Sequence, residues 1–169
     1  MKLRSAILAA ALVAALPGAA FAEDIATPVT LVPGSSPGWY SAGFSVTHLV
    51  DGLFTDTFTF SPPIDPSNVD ASLVTIGFDH PHNVDFTSAT LNGTPMSLLP
   101  TGIFEAGFLY PTALAGTLTL TVTGTAGDNA SYAGTLNVTP VPEPETYGMM
   151  LGGLALLGAM ARRRKQDQG

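Results

Sequence analysis

The chain contains no cysteine, so neither disulfides nor thiol chemistry acts in it. Basic side chains are almost as scarce. There are six Lys and Arg. Lys2 and Arg4 stand near the start, and Arg162, Arg163, Arg164 and Lys165 near the end. Residues 23–140 hold none, yet the same span carries Glu23, Asp24, Asp51, Asp56, Asp65, Asp70, Asp79, Asp85, Glu105 and Asp128. That body bears a charge of about −10 near neutral pH. A surface without fixed cations is a poor binder of nucleic acid and of anionic lipid, because both are held by Lys and Arg. Cations, neutral sugars and apolar groups stay open as ligands. Charged residues make up 11% of the chain, well below the roughly 25% of ordinary soluble domains. Apolar residues reach 46%, enough for a core. No Gly-x-Ser-x-Gly elbow, Walker loop or zinc-protease motif is present. A Ser-His-Asp triad leaves no linear trace, and nothing points to one. The expectation is a protein that is not an enzyme.

The two ends read as addresses. Residues 1–22 have the layout of a secretory signal peptide. Lys2 and Arg4 form its positive region, Ala6 to Leu16 its apolar run, and Ala20-Phe21-Ala22 a small-x-small cleavage site. The cut is expected after Ala22, by signal peptidase after passage through the Sec translocon. At the other end Pro142-Glu143-Pro144 is followed by the uncharged stretch Tyr147 to Ala161, and then by Arg162 to Lys165. As a helix, that stretch would be about 22 Å long, against a hydrocarbon core of roughly 30 Å. It is short for a span, but flanking arginines can snorkel and a bilayer can thin. The basic cluster would stay cytoplasmic as a stop-transfer tail. The run "VPEPETYGMMLGGLALLGAMARRRK" resembles the PEP-CTERM sorting signal of exported Gram-negative bacterial proteins. The resemblance implies an exosortase as partner and cleavage near Pro142, Glu143 and Pro144. It also implies transient attachment to the inner membrane through a short transmembrane helix before processing.

Between the ends, β-patterned runs recur about every ten residues. Tyr40, Ala42, Phe44 and Val46 alternate with Ser41, Gly43 and Ser45. Residues 53–60 make the next strand, 61–68 ("SPPIDPSN") read as a loop, and Leu73 to Phe78 suits a central strand. Val84 to Leu91 alternates again. Asn92-Gly93 signals a two-residue hairpin, because a type I′ turn needs positive φ at both positions. Ile103 to Leu109 is another candidate. Leu118, Leu120 and Val122 alternate with threonines, "GTAGDN" turns, and Tyr132 to Val138 returns. The expectation is an all-β fold, an antiparallel two-sheet sandwich, jelly-roll-like, of seven to nine strands over residues 23–140. Residues 141–169 then form the sorting signal.

Within this body "LFTDTFTF", "SATLNGTP" and "AGTLTLTVTGTAGDNASYAGTLNV" resemble the FxDxF family of PEP-CTERM proteins. Its defining positions map onto Phe54, Asp56 and Phe58. The resemblance implies an exported β-rich protein and says little about activity.

Asp56 poses a question of its own. Period-two alternation puts it on the face of Phe54, Phe58 and Phe60, where an unpartnered carboxylate is too costly. No Lys or Arg of the body can pair with it. It either accepts hydrogen bonds from nearby N–H and hydroxyl groups as a structural latch, or helps hold calcium, or reaches water at a strand edge or bulge. His48 stands alone in the sequence and reads as structural or exposed. Asp79, His80, His82 and Asp85 are close enough to suggest a metal, but Pro81 points to a solvated loop. Asp65, Asn68 and Asp70 offer oxygens without EF-hand spacing. No cofactor is expected; calcium is the one ion these acids leave open. Trp39-Tyr40 forms either an aromatic platform for sugar or part of the core. Asn92, Asn129 and Asn137 open N-glycosylation triplets, which in a bacterial protein are chance matches.

These readings converge on an exported protein, anchored transiently and then held at the cell surface or in the extracellular matrix. Its expected role is structural or adhesive, linked to exopolysaccharide or biofilm. A carbohydrate-binding module that tethers extracellular polymer is the alternative, and a secreted hydrolase a remote one.

Overall fold

The computed structural model describes residues 21–77, 79–141 and 144–166. Among these, nine strands join one sheet in the order β2-β3-β9-β4-β8-β5-β6, with β1 on β4 and β7 on β8. The strands are β1 (Ala26–Thr30), β2 (Val32–Pro33), β3 (Tyr40–His48), β4 (Gly52–Thr75) and β5 (Val84–Leu91). They continue with β6 (Thr94–Pro95), β7 (Ser97–Leu98), β8 (Ala106–Ala126) and β9 (Ala130–Pro140). All pairings between them are antiparallel except β1 with β4. A 3-10 turn covers His80–His82, and a helix, α1, runs Pro144–Gln166.

The sandwich expected from the pattern is corrected in its connectivity. The strands form one open sheet, which folds over on itself. Phe44 of β3 lies beside Gly134 of β9, which lies beside Leu73 of β4. In a flat sheet Phe58, fifteen residues up β4, would be about 50 Å from that row. Yet the Phe44 and Phe58 rings stand 4.6 Å apart. The two ends of β4 therefore belong to facing layers. Its first half lies between β1 and β8, and its second between β9 and β8.

The fold line runs through the proline-rich stretch. Residues 61–68 are not a loop between two strands but the middle of β4. The β4–β8 register shifts between Phe60 and Ile64 and again between Ile64 and Ser67. Pro62, Pro63 and Pro66 fall at these irregularities, where ladder hydrogen bonds are already interrupted and a missing N–H costs little. On the partner strand Gly116, opposite Ile64, takes φ 79°, which a side chain would resist. β8 likewise unites Leu118–Val122 with the end of the Ile103–Leu109 segment.

The core lies between the layers. Phe58, Phe60, Leu118, Leu120 and Leu136 are fully buried, each side chain contributing about 1.5–3 kcal/mol. The outer faces carry hydroxyls: Thr55, Thr57 and Thr59 pair with Thr123, Thr121 and Thr119, a favourable cross-strand combination. Asn92 and Gly93 take φ 47° and 79°, so the β5–β6 hairpin has the backbone its sequence calls for. Proline also marks the exposed edges, with Pro33 in β2 and Pro95 in β6, where it blocks pairing with another chain.

The expected transmembrane helix is a second correction. Among the described residues no helix is long and apolar enough to cross a membrane. The uncharged part of α1 ends at Ala161, so longer windows take in the arginines, and its glycines dilute the hydropathy.

Candidate functional site

Alternation along three strands brings Asp56, His48 and Tyr132 together between the layers. In β3 the inward series Phe44, Val46 ends at His48. In β4 it runs Phe54, Asp56, Phe58, Phe60. In β9 it includes Tyr132, Leu136 and Val138. All three polar side chains are fully buried. Asp56 Oδ1 accepts the Ile25 N–H at 3.0 Å, and Oδ2 accepts the Tyr132 hydroxyl at 2.6 Å. His48 Nε2 lies 3.0 Å from Oδ2. A carboxylate only accepts, so Nε2 carries the hydrogen. Nδ1 of the same ring is buried without a partner, and the ring lies 4.3 Å from that of Phe54.

Burial pushes the Asp56 carboxyl above its ordinary range, against the bonds from Tyr132, Ile25 and His48 that pull it down. Burial and the neighbouring Asp56 push the Tyr132 hydroxyl up as well. The arrangement is a clip. One carboxylate ties the N-terminal segment to β3, β4 and β9. Asp24 extends the attachment, its Oδ1 accepting the Thr55 N–H at 2.7 Å. Full burial removes the reading in which Asp56 reaches water. Its partners are hydrogen-bond donors, the opposite of what a calcium shell requires.

The pairing with His48 corrects the idea that this histidine is isolated. The signal was present in the sequence, since His48 continues the inward alternation of Phe44 and Val46. A second buried acid was missed. Glu105 is buried at the start of β8, accepting Gly102 N–H at 2.9 Å and Phe86 N–H at 2.8 Å. Burial raises its carboxyl first, and nearby Asp85 adds to the rise. It pins the 99–105 loop to β5, a long-range role that no local pattern announces.

The other sequence candidates stand apart from the clip. His82 Nδ1 pairs with exposed Asp79 at 2.6 Å; the side chain of His80 lies outside the described residues. Asp70 bonds to Asn137 Nδ2 at 2.9 Å. Among the described residues no group of three His, Cys, Asp or Glu is placed to hold a metal. Asn92 is engaged at its hairpin, accepting Thr119 N–H and donating to Thr117 O. Trp39 is half-exposed, at 49%, rather than part of the core. It forms one wall of a cleft of about 330 Å³ with Ser41, Asp70 and Asn137.

At the ends, Ala20, Pro142 and Glu143 lie outside the described residues. Ala22 is buried, its N–H bonded to Leu53 O at 2.8 Å. A cut after it leaves every atom of the Asp56 clip in place. Pro144 opens α1, and Arg162, Arg163, Arg164 and Lys165 fall in its last turns. Residues 140–165 match the PEP-CTERM protein-sorting motif. No curated protein and no solved structure matches the chain. The C-terminal segment is thus that of an exported protein sorted by an exosortase.

Proposed function

We propose that this protein is a non-catalytic structural or adhesive component of the cell surface or the extracellular polysaccharide matrix, delivered there by exosortase processing. The observation that carries the reading is the sorting motif, which follows directly on the last strand of the folded body. The buried acids support it, since Asp56 and Glu105 spend their oxygens on backbone and side-chain donors of the fold itself. Replacing Pro142, Glu143 and Pro144 by alanine in the producing organism tests the delivery step. The variant should accumulate with its tail attached and be depleted from the matrix. Unchanged processing and distribution would sink the reading. A tethering role for the body, as a carbohydrate-binding module, is favoured by the exposed Trp39 beside a largely apolar cleft that Ser41, Asp70 and Asn137 also line.

A further inference from the structure

The outer face of the layer formed by β3, β9, β4 and β8 is built in rows. Ser41 pairs with Asn137, and Asn137 with Asp70. The β4–β8 register shifts beside Asp70, between Val69 and Ala71. There β8 turns Tyr110 outward, 73% exposed, as bulges do. One row therefore runs across four strands, about 14 Å, from Ser41 to Tyr110. Trp39 stands at the Ser41 end. Its backbone is fixed on both sides: its N–H bonds to Ser36 O at 3.2 Å, and its carbonyl accepts Gly34 N–H at 2.7 Å. Gly38 before it takes φ 78° and packs on Pro140, where a Cβ would come within 3.2 Å of the proline ring. The indole is thus held on a rigid turn while half of it faces solvent.

We infer that this row is a binding site for a neutral polysaccharide, with Trp39 and Tyr110 as stacking walls and Ser41, Asn137 and Asp70 as the hydrogen-bonding floor. Sugar rings present apolar C–H faces and a rim of hydroxyls that both donate and accept. The site offers the counterpart to each. Aromatic faces cover apolar area, while hydroxyl, amide and carboxylate supply donors and acceptors at fixed positions. The 2.9 Å bond between Asn137 and Asp70 orients both groups before a ligand arrives. The cleft volume of about 330 Å³ falls at the small end of ligand pockets. Charge selects the class of polymer. Asp70 lies in the floor and no Lys or Arg occurs in residues 23–140, so uronate, sulfate and phosphate groups are repelled. This inference deepens the matrix-linked reading above and names the ligand class of the tether.

The test uses the full-length chain in mild detergent and, as probe, the neutral and acidic fractions of the producing organism's own extracellular polysaccharide. Trp39 is the one tryptophan of the chain, so its emission reports on the site directly. The neutral fraction should change that emission at saturation and retard the chain in affinity electrophoresis. Tyr110→Ala should weaken retardation at least tenfold, and Trp39→Ala should abolish it. Thr121→Ser, on the opposite outer face, should behave as the parent. Circular-dichroism melting confirms that the variants fold, as expected for exposed positions. Any of three results overturns the inference: no retardation by the neutral fraction, retardation by the acidic fraction alone, or retardation indifferent to Trp39→Ala. An emission change that follows protein concentration without polysaccharide also overturns it, by making the face a contact between copies. Export and tail processing are read separately by mass, so the site can fail while the sorting reading stands.

Discussion

Replacing Asp56 with alanine strands three donors at once: the Ile25 N–H, the Tyr132 hydroxyl and His48 Nε2–H. The site is fully buried, so water cannot take over without opening the layers. Leaving one buried donor unsatisfied costs about 1–3 kcal/mol. The three costs do not simply add, because the three donors share one network and relax together when its acceptor is removed. A net loss of about 3–5 kcal/mol is expected, the range for breaking a buried charged pair. Against a typical total of 5–15 kcal/mol that is a large share. Urea unfolding of the full-length chain, followed by far-UV circular dichroism, gives the number. Hydrogen exchange should also show the β1 amides losing protection first, since the clip holds Ile25 at the head of the β1–β4 ladder. Asp56→Asn separates geometry from charge. Its Oδ1 can keep Ile25 while its amide donates to a tautomerised His48, so the loss should be about half as large. A loss below about 1 kcal/mol for Asp56→Ala would refute the clip.

Three further outcomes follow from the same structure. Burial raises Asp56 above its ordinary 3.8 and Glu105 above its ordinary 4.5, so the folded state binds more protons than the unfolded one. Stability should therefore fall as pH rises from those ordinary values through the raised ones, and then level off. Urea midpoints at several pH values from 4 to 7 check this, and a midpoint rising with pH would contradict it. Tyr132→Phe removes one donor while Asp56 keeps two, and should cost about 1–1.5 kcal/mol by the same titration. Gly134→Ala would drive a methyl into the Phe44 ring and the Ser72 carbonyl. A loss of about 1–3 kcal/mol or failure to fold is expected, and a neutral effect in a thermal melt would show that the two strands can part.

Much of the core was legible because half-buried strands alternate. Phe54, Phe58 and Phe60, and Leu118, Leu120 and Val122, all point inward as period two demands. Asn92-Gly93 was equally plain, since few other residue pairs accept positive φ twice. The continuity of β4 was hidden. Three prolines in eight residues look like a loop unless a partner strand bends with them, and that partner lies some fifty residues away in sequence. The clip was half legible. The pattern located the anomalous carboxylate, but its donors come from residues 25, 48 and 132, which only the folding of one sheet over itself brings together. His48 is not among the fixed cations of the sequence, because it pairs without being a permanent charge. Trp39 sits in a turn, where periodicity carries no information about exposure.

Export of the body and removal of its C-terminal segment each leave a mark on the mass of the mature chain. The most direct measurement is the intact mass of the protein from its native host, taken from membrane, surface and medium fractions. A species that begins at Glu23 and ends near Pro142–Pro144 is expected in the surface or medium fraction. A sole species that still carries Arg162 to Lys165 would contradict it.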